Sequence, residues 1–258
     1  MTDLGPVTGD MQAKGYHFRR IHDDPPDMYQ VLGERGSGTN MIRKMIQRNA
    51  KIFRTEGLGW KHGFPVMVAI PRDLLVVCAF RNAQDWAISM YKRPWHAHPD
   101  MQALSFSEFL RAEWRSIVDR PTDFEMIHPE IKPDGMVLQF DRHPLTGAPF
   151  ENLFALRRAK MAAVLGMLNR DCHVALVQLE AAQKHAETFM QDFRNAYGLH
   201  EKRPEFRMPT RRMGNNFRPS VKDREKAPDA LSAEDRAFML SQLDLETERA
   251  LGYTYEGA

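Results

Sequence analysis

The sequence predicts an α/β domain with a central parallel sheet and helices on both faces, and three stretches carry that prediction. Residues 29–46 read as a short apolar strand, a glycine-rich turn over 33–38 and a helix start, with Met41, Ile42, Met45 and Ile46 at helical spacing. Residues 74–80, after Asp73, are apolar without interruption, as in a parallel strand covered on both faces. Residues 172–180 read as another buried strand, followed by a helix over 183–197 that Gly198 closes.

Length and composition set the frame. At 258 residues, 43% hydrophobic and 27% charged, the chain can bury a sizeable core, and residues 28–258 read as one domain. Residues 1–27 are polar, close on Asp23-Asp24-Pro25-Pro26, and read as a leader or peripheral arm. A formal net charge of +2 argues against a general nucleic-acid binder and permits a local basic pocket. Cys78 and Cys172 lie in the apolar runs and read as buried thiols rather than a disulfide, which points to the cytoplasm. No apolar run approaches the length of a transmembrane segment, and the N-terminus lacks a signal peptide's apolar core.

The glycine turn is where chemistry enters. Glycines let backbone amides approach an anion closely, and a helix N-terminus carries partial positive charge. Arg35, Ser37, Thr39 and Asn40 add side-chain donors, so the expected guest is a phosphate or a sulfate-like group. An ordinary tight turn before a core helix is the plainer alternative. A kinase-type loop needs Lys and then Ser or Thr after its last glycine, where Thr39 and Asn40 stand here. The order of Gly33, Gly36 and Gly38 also breaks the dinucleotide fingerprint.

Beyond the first helix, residues 51–55 read as a short strand. Gly57, Gly59, Gly63 and Pro65 then place Lys61 and His62 on a loop or strand end. The strand over 73–80 delivers Arg81 to its carboxyl end, where open α/β sheets bind ligands. Asn82 or Asp85 can cap the next helix, and Ser89 returns to the same end two turns later. Arg81 and Ser89 together suit a second phosphate. A surface ion pair of Arg81 with Asp85 is the alternative.

Together these residues resemble the sulfotransferases that use 3′-phosphoadenylyl sulfate (PAPS). The Ser37-Gly38-Thr39 core resembles their 5′-phosphosulfate loop. Arg81, Asn82, Asp85 and Ser89 match the family's Arg-Asn-Pro-x-Asp strand end and following Ser, with Ala83 replacing the proline. Lys61-His62 occupies the place of a Lys-x-His segment, and Glu180 that of the Glu in a Tyr-Glu-Asp strand end. Arg211, Arg212 and Gly214 stand where the family has a late Arg-Lys-Gly segment; a plain surface loop is the alternative there. The resemblance covers roughly residues 30–197 in order of elements.

That resemblance implies a P-loop-like three-layer fold and sulfuryl transfer from PAPS to a hydroxyl or amine, without a metal. The product is then 3′-phosphoadenosine 5′-phosphate (PAP), and the acceptor is a small molecule or carbohydrate. By resemblance, His62 is the general base and Arg35, Gly36, Ser37, Gly38, Thr39 and Asn40 hold the 5′ end of the donor. Arg81 and Ser89 then hold the 3′-phosphate, with Arg211, Arg212 and Gly214 closing over it. Gly36 stands where many members have a cation, and Arg35 lies one residue earlier, so Arg35 and Lys61 are both candidates to steady the leaving phosphate. A P-loop small-molecule kinase using ATP and a non-catalytic nucleotide-binding protein of the same fold are the alternatives.

The rest of the chain is less informative. His96 and His98, two apart on a proline-broken loop, make no metal site by themselves. That loop reads as an acceptor-binding lid with Trp95 as a stacking face. Residues 106–118 read as an amphipathic helix opened by Ser105 or Ser107, 121–133 as an insertion and 135–141 as a strand. A long helix over 151–168 carries Arg157, Arg158 and Lys160, which read as a solvated face. Ser232 opens a last helix to about 251. The sequence names no acceptor, and it leaves a homo-oligomer open.

Overall fold

Five strands pair into one sheet in the computed structural model, which describes residues 2–124, 130–209 and 217–255. In chain order they are β1 (Tyr16–Arg19), β2 (Met28–Gly33), β3 (Phe53–Arg54), β4 (Leu74–Phe80) and β5 (His173–Gln178). Across the sheet the order is β1-β5-β4-β2-β3. β2 to β5 are parallel, whereas β1 runs antiparallel to β5, with Tyr16 opposite Val177 and Arg19 opposite Val174.

Strand alternation sets the layers. Val76, Cys78 and Phe80 face one core with Val174 and Leu176, while Leu75, Val77 and Ala79 face the other with Ala175 and Val177. α3 (Ala83–Lys92), α5 (Phe106–Arg111), α6 (Leu153–Leu165) and α9 (Ala233–Gln242) cover the first core. α2 (Thr39–Asn49), α7 (Leu179–Lys184) and α8 (Ala186–Tyr197) cover the second, through Ile42, Met45, Ala182, Phe189 and Phe193. Helices thus lie on both faces. α1 (Gly5–Lys14), α4 (Pro99–Ala103) and α10 (Leu245–Ala250) complete the described helices. None of these is long and apolar enough to cross a membrane. Cys78 and Cys172 are free and buried.

The connections also decide where a site opens. β2 leads through α2 to β3 on one side of the sheet, and the chain then crosses to β4 on the other side of β2 and leaves through α3. α2 and α3 cover opposite faces. Diverging exits open a crevice between the carboxyl ends of β2 and β4, at a switch point in strand order.

The structure corrects several expectations. Residues 1–27 are not a peripheral arm: α1 buries Val7 and Met11, and β1 is a strand of the sheet. Their polar composition misleads because a surface helix and an edge strand need only a few apolar side chains. The helix expected over 106–118 ends at Arg111, and Trp114 and Val118 are buried from extended chain instead. Residues 135–141 form an isolated bridge, Ile117 to Val137, and a short 3-10 turn (Gln139–Asp141), not a strand. β5 ends at Gln178, so Leu179 and Glu180 open α7, and the helix expected over 183–197 is the pair α7 and α8. The last helix is also split, because Asp244 caps α10 by accepting from the Thr247 amide. Arg157 and Lys160 are not a solvated face: they are 1% and 3% exposed, whereas Arg158 is exposed. Helical phase puts both with Leu153, Leu156 and Val164 on the inward side of α6.

Candidate functional site

β2 ends at Gly33, and residues 34–38 turn the chain into α2. Gly36 and Gly38 sit at φ 79° and 84°, a left-handed backbone that side chains resist. A Cβ on Gly38 would lie 2.3 Å from Leu179 Cδ1, and one on Gly36 would lie 3.3 Å from Ser89 Oγ. The Ser37 hydroxyl is buried and donates to the Glu34 carbonyl at 2.7 Å, which closes the turn. Thr39 and Asn40, the first residues of α2, line the crevice. Their amides have no carbonyl one turn back within the helix, and they sit at the positive end of its dipole.

The segment after β3 (Phe53–Arg54) is tied to the same residue that ends β2. The Gly33 amide donates to the Lys61 carbonyl at 2.9 Å, and His62 Nδ1 lies 2.6 Å from the Gly33 carbonyl. A carbonyl only accepts, so Nδ1 carries the proton and Nε2 keeps its lone pair. Burial, and then the charge on Lys61, push the imidazole well below its ordinary pKa, so His62 is neutral at pH 7. Lys61 Nζ donates to Asn40 Oδ1 at 3.0 Å. Burial and the nearby Arg43 guanidinium lower its pKa as well.

β4 supplies the other wall. Arg81 Nη1 donates to the Gly36 carbonyl at 3.1 Å; among the described residues it makes no ion pair with Asp85. Asn82 caps α3, its Oδ1 accepting from the Gln84 amide at 2.9 Å. Two turns along α3, Ser89 faces Gly36. The start of α3 is braced from the far end of the chain. Glu180 accepts from the Asn82 amide at 2.9 Å and from the Tyr253 hydroxyl at 3.1 Å. The Tyr255 hydroxyl accepts from the Ala83 amide at 3.1 Å and donates to Glu248 at 2.7 Å.

A layer of buried charge lies behind the loop. Arg35 is 4% exposed and donates through Nη2 to Asp141 Oδ2 at 2.5 Å. Its guanidinium sits 5.7 and 5.8 Å from the Trp60 and Trp114 rings, and Nη1 has no hydrogen-bond partner among the described residues. Asp141 also accepts from Trp114 Nε1 and Lys160 Nζ. Burial alone would raise the Asp141 carboxyl, but Arg35 and Lys160 hold it well below the usual carboxylate range. Beside them, Arg157 joins Glu34 at 3.1 Å and Glu248 at 2.9 Å. Burial pushes the Glu34 carboxyl up to about 7, with Arg157 offsetting only part of the cost.

These parts open on one cleft of about 1620 Å³. Arg35, Gly36, Gly38, Thr39 and Asn40 line it from the loop, and Lys61, His62, Arg81 and Ser89 from its other walls. Ser37 stands behind the wall. Arg211, Arg212 and Gly214 fall within residues 210–216, outside the described residues; the chain just before them, Met208 and Pro209, lines the cleft. Trp95 lines it too, with Arg120 4.8 Å over its ring. His96 and His98 part company: His96 is buried 2.9 Å from Asp119, while His98 caps α4.

Sequence reasoning missed three residues here. Trp60 stands 5.3 Å from the His62 ring and 5.0 Å from Phe124, and its place just before Lys61-His62 was the available signal. Lys160 shares the helical phase of the apolar residues of α6, a signal that its charge outweighed. Asp141 gave no signal, because its partners come from distant parts of the chain. Comparison with family models, curated proteins and solved structures finds no match. The cleft offers donors for anionic groups beside a neutral imidazole with a free nitrogen.

Proposed function

We propose that the protein is a PAPS-dependent sulfotransferase of P-loop-like fold, acting on a hydroxyl or amine of a small-molecule or carbohydrate acceptor. One observation carries this reading: a single cleft brings the 36–40 loop, the Arg81 and Ser89 pair beside Gly36, and neutral His62 together. Two anion positions suit a donor with phosphate at both its 5′ and 3′ ends. Arg35 Nη1, a buried donor without a partner among the described residues, and the bare backbone at Gly36 and Gly38 fit an anion at the loop. The buried free thiols fit a reducing compartment such as the cytoplasm.

The donor, when bound, supplies the sulfuryl group and a phosphate leaving group. The amides of Gly38, Thr39 and Asn40 hold the 5′-phosphate, and Arg81 and Ser89 hold the 3′-phosphate. His62 Nε2 takes the acceptor's proton as its oxygen bonds to sulfur, and the electron pair of the broken sulfur–oxygen bond stays on the leaving phosphate. The Lys61 ammonium, bonded to Asn40 at the helix start, steadies that charge. Arg35 is committed to Asp141 through Nη2, and its Nη1, without a partner among the described residues, is left for the anion. Positioning and charge stabilisation do most of the work, as in phosphoryl transfer.

Calorimetric titration with PAP, beside ATP with and without magnesium, tests the reading. Tight metal-independent PAP binding with weak ATP binding is expected. Magnesium-dependent ATP binding that ignores the 3′-phosphate would overturn it in favour of a kinase.

A further inference from the structure

His62 is held at two points. Its ring is tied to the Gly33 carbonyl, and its own carbonyl accepts from Lys160 Nζ at 2.8 Å. The same ammonium donates to Asp141 Oδ1 at 2.5 Å, and Asp141 Oδ2 receives Arg35 Nη2 at 2.5 Å. A continuous chain of three bonds therefore runs from the glycine loop to the backbone of the base. Its three side chains are 4%, 2% and 3% exposed at Arg35, Asp141 and Lys160.

Burying an ammonium costs desolvation that an apolar side chain of similar length avoids. Here the charge is placed on the carbonyl of His62, and its counter-ion is shared with the loop that lines the anion end of the cleft. We propose that Lys160, anchored on Asp141, is a positioning residue that fixes His62 and couples it to Arg35 in the anion loop. The proposal rests on His62 being the base. It gives α6 (Leu153–Leu165) a part in the site although that helix presents no group to the cleft. An anion on Arg35 Nη1 pulls on the same guanidinium that holds Asp141, so donor binding is felt at His62 through two side chains. Lys61, Arg35 and Lys160 bear on the imidazole as cations, and the Asp141 carboxylate that pairs with the last two offsets part of their charge.

The test compares Lys160→Met with Lys160→Arg in the full chain, read first by nitrogen NMR of the His62 ring across a pH titration without ligand. The methionine variant loses one cation and the backbone tether, so His62 is expected to titrate about 0.5–1 pH unit higher. The arginine variant keeps a cation with donors for both acceptors and should return most of the way. PAP affinity should stay within about threefold in the methionine variant, because the Arg35 and Asp141 pair remains, while kcat falls about 10- to 100-fold. Where the methionine variant is too unstable, Lys160→Gln, which keeps a neutral donor, carries the same readout. A folded variant whose His62 titrates as in the wild type overturns the proposal. Wild-type protein that ignores PAP would sink the sulfotransferase reading while leaving the His62 titration able to judge this one.

Discussion

In the proposed reaction His62 acts through the nitrogen it leaves free. The Gly33 carbonyl claims Nδ1, and burial keeps the ring neutral, so Nε2 is a standing acceptor rather than one made by a change of pH. His62→Ala should slow turnover about 10²- to 10⁴-fold with PAP binding retained, measured by steady-state kinetics beside calorimetry. The pH profile of kcat/KM should be flat through neutrality and fall only well below pH 6.5, where the ring finally takes a proton. Stability follows the same sign. An unfolded imidazole gains its proton near pH 6.5 and the folded one does not, so this group costs stability as pH falls from 6.5 toward the folded value. Gly38 makes a backbone demand instead. Gly38→Ala meets a left-handed φ and the Leu179 side chain, so urea unfolding should show a loss of about 1–3 kcal/mol, with PAP affinity falling too.

At the scale of elements, α6 and the glycine loop are joined by buried charge. Glu34, in that loop, is raised from an ordinary carboxyl value to about 7, chiefly by burial. Between about pH 4.5 and 7 the folded chain holds a proton there that the unfolded chain has lost. Its stabilising contribution is complete below pH 4.5 and fades as pH rises through 7. Glu34→Gln removes the titration. Urea unfolding at pH 5 and pH 8 should show wild type losing about 2.5 kcal/mol more than the variant over that rise. Equal losses would place the Glu34 proton elsewhere. These elements also show what a sequence discloses. β4 and β5 were legible because burial on both faces leaves an unbroken apolar run, and Arg81 and Ser89 because eight residues make about two helical turns. Trp114 and Val118 keep helical spacing by coincidence: they are buried from extended chain, and spacing alone does not separate the two cases. Lys160 was hidden by its own charge, which suggests solvent until a buried counter-ion is known. Asp141 meets Arg35 across 106 residues of sequence, a pairing that only the folded chain displays.

Across the whole molecule, distant ends of the chain meet around the sheet. Tyr253 and Tyr255 brace the start of α3, so residues near the C-terminus help to place Arg81. Tyr255→Phe leaves the Ala83 amide without its acceptor and should cost about 1–3 kcal/mol in urea unfolding, with weaker PAP binding by calorimetry. α1 lies against α10, where Gln12 donates to the Arg249 carbonyl at 3.3 Å. β1 reaches far within the sheet itself: it closes the sheet against β5, whose Val174 follows Arg19 by 155 residues. On a ribosome adding about 5–20 residues per second, that interval lasts roughly 8–30 s. For all of it the nascent chain carries Tyr16 and Phe18 with no strand yet made to receive them, and the far edge of the sheet is sealed only once β5 has been synthesised.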